Sequence, residues 1–218
     1  MKKTILKMIA VAGIIAVTVF TSSAQISLGL IGSFASGMDL GIGSTGKKLS
    51  TTDGFGGGFI GRYWLKNKMA VGINVSYFSF GIKDVPSGIT SNYSITPISL
   101  AFEYYFKDKG IKPFAGFEAG YMVGSWIAKY EANIAGVNLP AFEGTFSNSG
   151  LFIAPVVGTA YRFKNNFDIV LNAKFIGCFN EGKKDIKYSI SNVSSAPLDA
   201  IASSFINVNL GVSYKFGK

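Results

Sequence analysis

Along most of this chain apolar residues alternate with polar or small ones at a period of two. The segment near the carboxyl end shows it best: Ile206, Val208, Leu210, Val212, Tyr214 and Phe216 interleave with Asn207, Asn209, Gly211, Ser213 and Lys215. Successive side chains of an extended strand point to opposite faces, so this segment has one apolar face and one polar or small face. Phe167, Ile169, Leu171, Ala173 and Phe175 repeat the pattern against Asp168, Val170, Asn172 and Lys174. The alternation predicts eight strands, over 26–37, 53–65, 69–82, 92–106, 111–125, 149–163, 167–180 and 205–216.

The connections carry a second pattern. Lys66-Asn67-Lys68, Lys107-Asp108-Lys109-Gly110 and Lys164-Asn165-Asn166 are short and polar, whereas 38–52, 83–91, 129–148 and 181–204 are long and rich in Gly, Ser, Asn and Lys. Short and long connections alternate. If neighbouring strands are antiparallel, all tight turns fall at one end and all long loops at the other, and an even strand number lets the sheet close. The expected fold is all-β: an eight-stranded antiparallel up-and-down β-barrel.

The two faces say which solvent each meets. The polar face is mostly Gly, Ser, Ala and Asn with few charges, whereas the surface of a water-soluble barrel is rich in Lys and Glu. The apolar face is almost free of charge. It is crowded beside the tight turns with Tyr63, Tyr104, Phe106, Tyr161, Phe163, Phe167, Tyr214 and Phe216, the ring of aromatics that a membrane interface favours. A transmembrane barrel with its apolar face outward is therefore expected, with a soluble secreted lipocalin-like carrier as the weaker alternative.

Composition removes other classes. With no histidine among 218 residues, Ser-His-Asp and Cys-His catalysis and His-ligated metal sites are excluded, and one cysteine excludes an internal disulfide and multi-cysteine zinc sites. No catalytic residue, cofactor-binding residue or metal ligand is expected. The net charge of +9 does not signal a nucleic-acid partner. Lys2, Lys3 and Lys7 precede the apolar run from Met8 to Phe20, and Thr21-Ser22-Ser23-Ala24 supplies small residues before a cut after Ala24. Residues 1–24 read as a secretory signal peptide and 25–218 as the barrel domain.

Signal peptide, eight alternating segments, the short and long connection rhythm and a last strand ending Tyr214-Lys215-Phe216 resemble the small outer-membrane β-barrels of the OmpA/OmpX type. They are likewise similar to the porin-family outer membrane protein β-barrel domain group. That resemblance implies a Gram-negative outer-membrane location and a monomer in contact with outer-membrane lipid and lipopolysaccharide. It also implies insertion by the barrel assembly machinery; no peptidoglycan-binding domain of the OmpA kind is expected after the eighth strand, and without a histidine no enzymatic activity is expected. A structural or surface-interaction role is expected, with a narrow channel or small apolar-solute conduit as the alternative.

Some residues could carry chemistry. Gly56, Gly58 and Gly61 fit a dinucleotide-binding pattern, but Arg62-Tyr63-Trp64 continues a strand where that motif needs a helix. On the polar face, Arg62, Glu103, Glu118, Arg162 and Lys174 are expected to form a structural charge network inside the barrel, with Glu103 and Glu118 neutralising the three cations. Cys178 reads as a small filler. Lys47-Lys48 and Lys183-Lys184 with Lys187 read as solvated loop charge that could meet lipopolysaccharide.

Overall fold

The computed structural model describes residues 25–42, 47–66, 68–84, 89–130, 133–134, 137–138, 142–164, 166–180, 187–188, 200–202 and 204–217. Eight strands form the barrel: Gln25–Ala35 (β1), Lys47–Lys66 (β2), Met69–Ile82 (β3), Ile89–Tyr105 (β4), Ile111–Tyr130 (β5), Phe142–Lys164 (β6), Phe167–Asn180 (β7) and Phe205–Phe216 (β8). Each pairs antiparallel with the next in sequence. The sheet closes where β1 meets β8, from Ile26 opposite Phe216 to Ala35 opposite Asn207. The expected leader, residues 1–24, lies outside the described residues.

The three tight turns sit at one end. Gly110 closes the turn before β5 with φ of 64°, a left-handed conformation that side chains with a Cβ rarely adopt. At the other end the strands run further than the alternation predicts. β2 starts at Lys47, β4 starts at Ile89, β5 continues to Tyr130 and β6 begins at Phe142, so parts of the expected loops 38–52, 83–91 and 129–148 are strand. Asp39–Ile42 pairs back onto β2, and Ala200–Ala202 pairs onto that segment in turn. The reason is visible on β4, whose outer face turns polar at Thr96, Ser94, Asn92 and Thr90 while its ladder to β5 continues to Ile89 opposite Tyr130. Backbone pairing continues there after the apolar signal has ended.

Two prolines interrupt the wall. Between β3 and β4 the ladder lapses at the rungs that would join Ser76 to Pro97 and Tyr77 to Thr96, then resumes in the same register. The β6–β7 ladder lapses likewise at Pro155. Proline has no N–H to give to the neighbouring strand.

Outside, the barrel is apolar. Leu30 is 70% exposed, Phe55 70% and Leu100 68%, and the exposed apolar side chains run around every strand. Such a surface cannot stand in water without association. On β8 the outward residues Ile206 to Phe216 cover ~26 Å of height at a rise of ~3.4 Å and a tilt of ~40°, which matches the ~25 Å apolar band of outer-membrane barrels.

Candidate functional site

The inward side chains fill the barrel in three layers. Toward the loop end Phe78, Phe80, Tyr93, Ile95, Met122, Phe152, Ile176 and Phe205 form an apolar layer with Ala35, Met38 and Ala154. The rings of Phe78 and Phe80 each lie 6.1 Å from Phe205, edge to face. Toward the turn end a second layer holds Trp64, Ala70, Tyr105, Phe114, Val156, Ala160 and Val170. Tyr105 packs between Trp64 at 4.7 Å and Phe114 at 4.9 Å. Charged and amide side chains occupy the space between these layers and the turn-end mouth.

Small residues make this filling possible. A Cβ on Gly158 would come within 2.6 Å of Phe114 Cζ and 2.7 Å of Asn172 Cβ, so the ring of Phe114 occupies the place of a side chain at 158. A Cβ on Gly56 or Gly58 would instead meet the β3 backbone, at the carbonyl oxygens of Tyr77 and Val75, whereas one on Gly61 would make only ordinary contacts with Leu28 and Phe59; no helix follows these glycines.

Of the five charged residues expected inside, four meet as two pairs. Arg62 Nε donates to Glu103 Oε2 at 2.6 Å and Nη2 to Oε1 at 3.0 Å, and the Tyr105 hydroxyl donates to Oε2 at 2.7 Å. Lys174 Nζ lies 2.8 Å from Glu118 Oε1, which also accepts from Asn74 Nδ2 at 2.6 Å, while Oε2 accepts from Ser99 Oγ at 2.9 Å. Arg62, Glu103, Glu118 and Lys174 are all buried, and burial of an ion is tolerable only with such partners.

Arg162 departs from expectation. Neither glutamate reaches it; it donates through Nε at 2.8 Å and Nη2 at 2.9 Å to the two oxygens of Asp168. The cause is register, because Asp168 stands directly opposite Arg162 in the β6–β7 ladder. Lys112 Nζ joins the same carboxylate at 3.0 Å. Lys112 and Asp168 are absent from the set picked out in the sequence. Asp168 carries the polar parity of β7 and was legible; Lys112 follows the turn lysines 107 and 109 so closely that it reads as turn charge.

These pairs share a geometry. Glu118 on β5 and Lys174 on β7 meet over β6, where their ladder partners are Ala154 and Val156. Lys112 on β5 reaches Asp168 on β7 over Ala160 in the same way. Long side chains thus bridge second-neighbour strands over shorter ones. Beside them Asn209 receives the Ser33 hydroxyl at 2.5 Å and donates to Asn172 and Asn207 at 2.7 Å each. Among the described residues Thr159 Oγ1 is the single buried side-chain polar atom without a partner, so the lumen is closely satisfied.

A small gap remains between Asn74, Ser99, Glu118, Lys174 and Asn207, bounded by Phe78, Pro97 and Phe152. Cys178 is half-buried against the loop-end apolar layer. Among the described residues no group of three or more Cys, Asp or Glu side chains is placed to hold a metal ion. Of the basic loop residues, Lys183 and Lys184 lie outside the described residues, and Lys47, Lys48 and Lys187 fall within strand backbone.

On the outside, Tyr104, Phe106, Tyr161, Phe163, Phe167 and Phe216 are exposed near the tight turns, with Tyr63 and Tyr214 half-buried among them. They pack on one another: Tyr104 with Phe106 at 5.6 Å, Phe167 with Tyr214 at 4.9 Å and Tyr214 with Phe216 at 4.7 Å. The Tyr214 hydroxyl accepts from Asn166 Nδ2 in the adjacent turn at 3.2 Å, which fixes the polar tip at the turn end.

No protein-family model matches the sequence, and no curated protein does. Solved structures do. The outer membrane protein OprG from Pseudomonas aeruginosa superposes with a TM-score of 0.56 at 13% identity, over 89% of this chain and 97% of that one. A major outer membrane protein from Thermus thermophilus gives a TM-score of 0.57 at 16% identity, over 88% and 99%. The outer membrane protease OmpT from Escherichia coli gives 0.47 at 11% identity, over 88% and 96%. At these identities the likeness to the first two carries the fold and no shared activity. The chain has the closed antiparallel barrel fold found in outer membrane proteins.

Proposed function

We propose that this protein is an integral outer-membrane barrel with a structural or surface-interaction role, exported by residues 1–24 and lodged in lipid by its aromatic girdle. The carrying observation is the inverted surface: apolar side chains such as Leu30 and Leu100 are exposed outside, while Arg62, Glu103, Glu118 and Lys174 are buried within. A soluble carrier would show the reverse. In this reading the tight turns face the periplasm and the long connections face outward, where their lysines meet lipopolysaccharide. The barrel assembly machinery inserts the chain as a monomer. A chain without histidine and with Arg62 and Lys174 each paired to a glutamate inside the wall supports a non-catalytic role.

Cell fractionation with gel mobility before and after boiling tests this. Recovery in the outer-membrane fraction with a mobility shift on heating is expected; a soluble periplasmic protein that does not shift would overturn it. The second reading is a narrow channel, favoured by the polar gap beside Glu118 and Lys174. The apolar layer at the loop end favours the closed lumen.

A further inference from the structure

We infer that the turn-end mouth of the barrel is a binding site for a small tetrahedral oxyanion of the phosphate class, held by Lys112, Arg162 and Lys215. Two of these cations meet on one carboxylate, Asp168, and the third shares an aromatic ring with one of them. Lys112 and Arg162 already share Asp168, at 3.0 Å and 2.8 Å. Lys215 has no carboxylate within ion-pair distance among the described residues; its Nζ rests 4.5 Å from the centroid of the Trp64 ring. Lys112 Nζ lies 5.7 Å from the same ring, so two ammonium groups share one indole. Among the described residues one acid among three cations leaves two positive charges uncompensated, in a place where low dielectric strengthens their repulsion.

Elsewhere in the lumen the pairing is one to one, Arg62 with Glu103 and Lys174 with Glu118. The mouth is the exception, and it is accessible: the Arg162 side chain is 34% exposed while that of Lys112 is only 4% exposed. The site therefore has a buried anchor and an open rim. Arg162 engages Asp168 through Nε and Nη2, which leaves Nη1 and a second Nη2 hydrogen to donate, and the Lys215 ammonium has three donors. A guanidinium edge and two ammonium groups around one space suit an oxyanion with several acceptor oxygens. Trp64, Tyr105 and Phe114 floor the site, so an occupant enters and leaves by the turn end and does not cross the barrel.

Trp64 provides the readout. The chain has two tryptophans, so Trp126→Phe leaves Trp64 as the sole tryptophan, excited selectively beyond the tyrosine absorption band. The full-length variant, refolded in a phosphate-free glucoside detergent and checked by heat-modifiability, is titrated with inorganic phosphate against chloride at constant ionic strength. A saturable change in Trp64 emission is expected, weakened about tenfold or more by Lys215→Met and by Arg162→Gln, and unaltered by Lys68→Met in the nearby turn. Lys215→Gln replaces Lys215→Met if the latter does not refold. An unsaturable response, or one that Lys215→Met and Lys215→Gln leave intact, overturns the site. Reconstitution in phosphatidylglycerol against phosphatidylcholine vesicles identifies the source: emission already shifted in the anionic vesicles, with no response to added phosphate, assigns the oxyanion to a lipid headgroup. A retained response assigns it to a soluble anion.

Discussion

Arg62 on β2 and Glu103 on β4 form a two-pronged ion pair over the strand between them. Their ladder partners on β3 are Gly72 and Ala70, the two smallest side chains available, and the guanidinium crosses the space these leave. A Cβ at Gly72 would lie 2.5 Å from the Gly61 carbonyl oxygen and 3.5 Å from Arg62 Cγ. The strength of the pair therefore depends on a residue that contributes no charge.

Gly72→Val should accordingly destabilise the barrel by ~1–3 kcal/mol through overpacking and displacement of Arg62. Urea unfolding of the refolded protein in lipid vesicles measures it, and an unchanged midpoint would mean that β3 can shift to admit the side chain.

Glu118→Leu removes the counter-charge of buried Lys174 and the acceptor of Asn74 and Ser99. A loss of ~3–5 kcal/mol is expected, because a buried cation is left alone. Lys112→Met makes the contrast: Asp168 keeps Arg162, so the loss should fall clearly below that of Glu118→Leu. Equal losses in the same unfolding assay would count against the one-to-one pairing of Glu118 with Lys174.

Orientation can be read with cysteines placed in a Cys178→Ser background. Lys83 and Lys68 are both exposed, at the loop end and the turn end respectively. A membrane-impermeant maleimide applied to whole cells should label Lys83→Cys and leave Lys68→Cys unlabelled until the outer membrane is opened. Labelling in the opposite order would reverse the topology.

Planar-bilayer recording of the refolded protein should give little or no steady current. Eight strands enclose a space that side chains fill, whereas aqueous pores need ~16–18 strands. Here Phe78, Phe80, Phe152 and Phe205 close the loop end and Trp64, Tyr105 and Phe114 the turn end. Large, reproducible conductance steps would promote the channel reading.

Strand number, antiparallel order, the outward and inward sets and the aromatic ring were all legible along the chain, because each rests on a period of two or on a neighbouring turn. Ile206 to Phe216 announces its faces with no knowledge of what lies beside it. The partners of the inward charges were not legible, since an ion pair between second-neighbour strands depends on two registers and on the size of the residue stepped over. Arg162 was expected beside a glutamate and stands opposite Asp168; Lys112, three residues past Lys109, crosses β6 to the same carboxylate. Strand length was hidden for the opposite reason: β4 and β5 keep pairing to Ile89 and Tyr130 through backbone hydrogen bonds, which leave no mark on side-chain polarity once the wall has risen above its apolar belt.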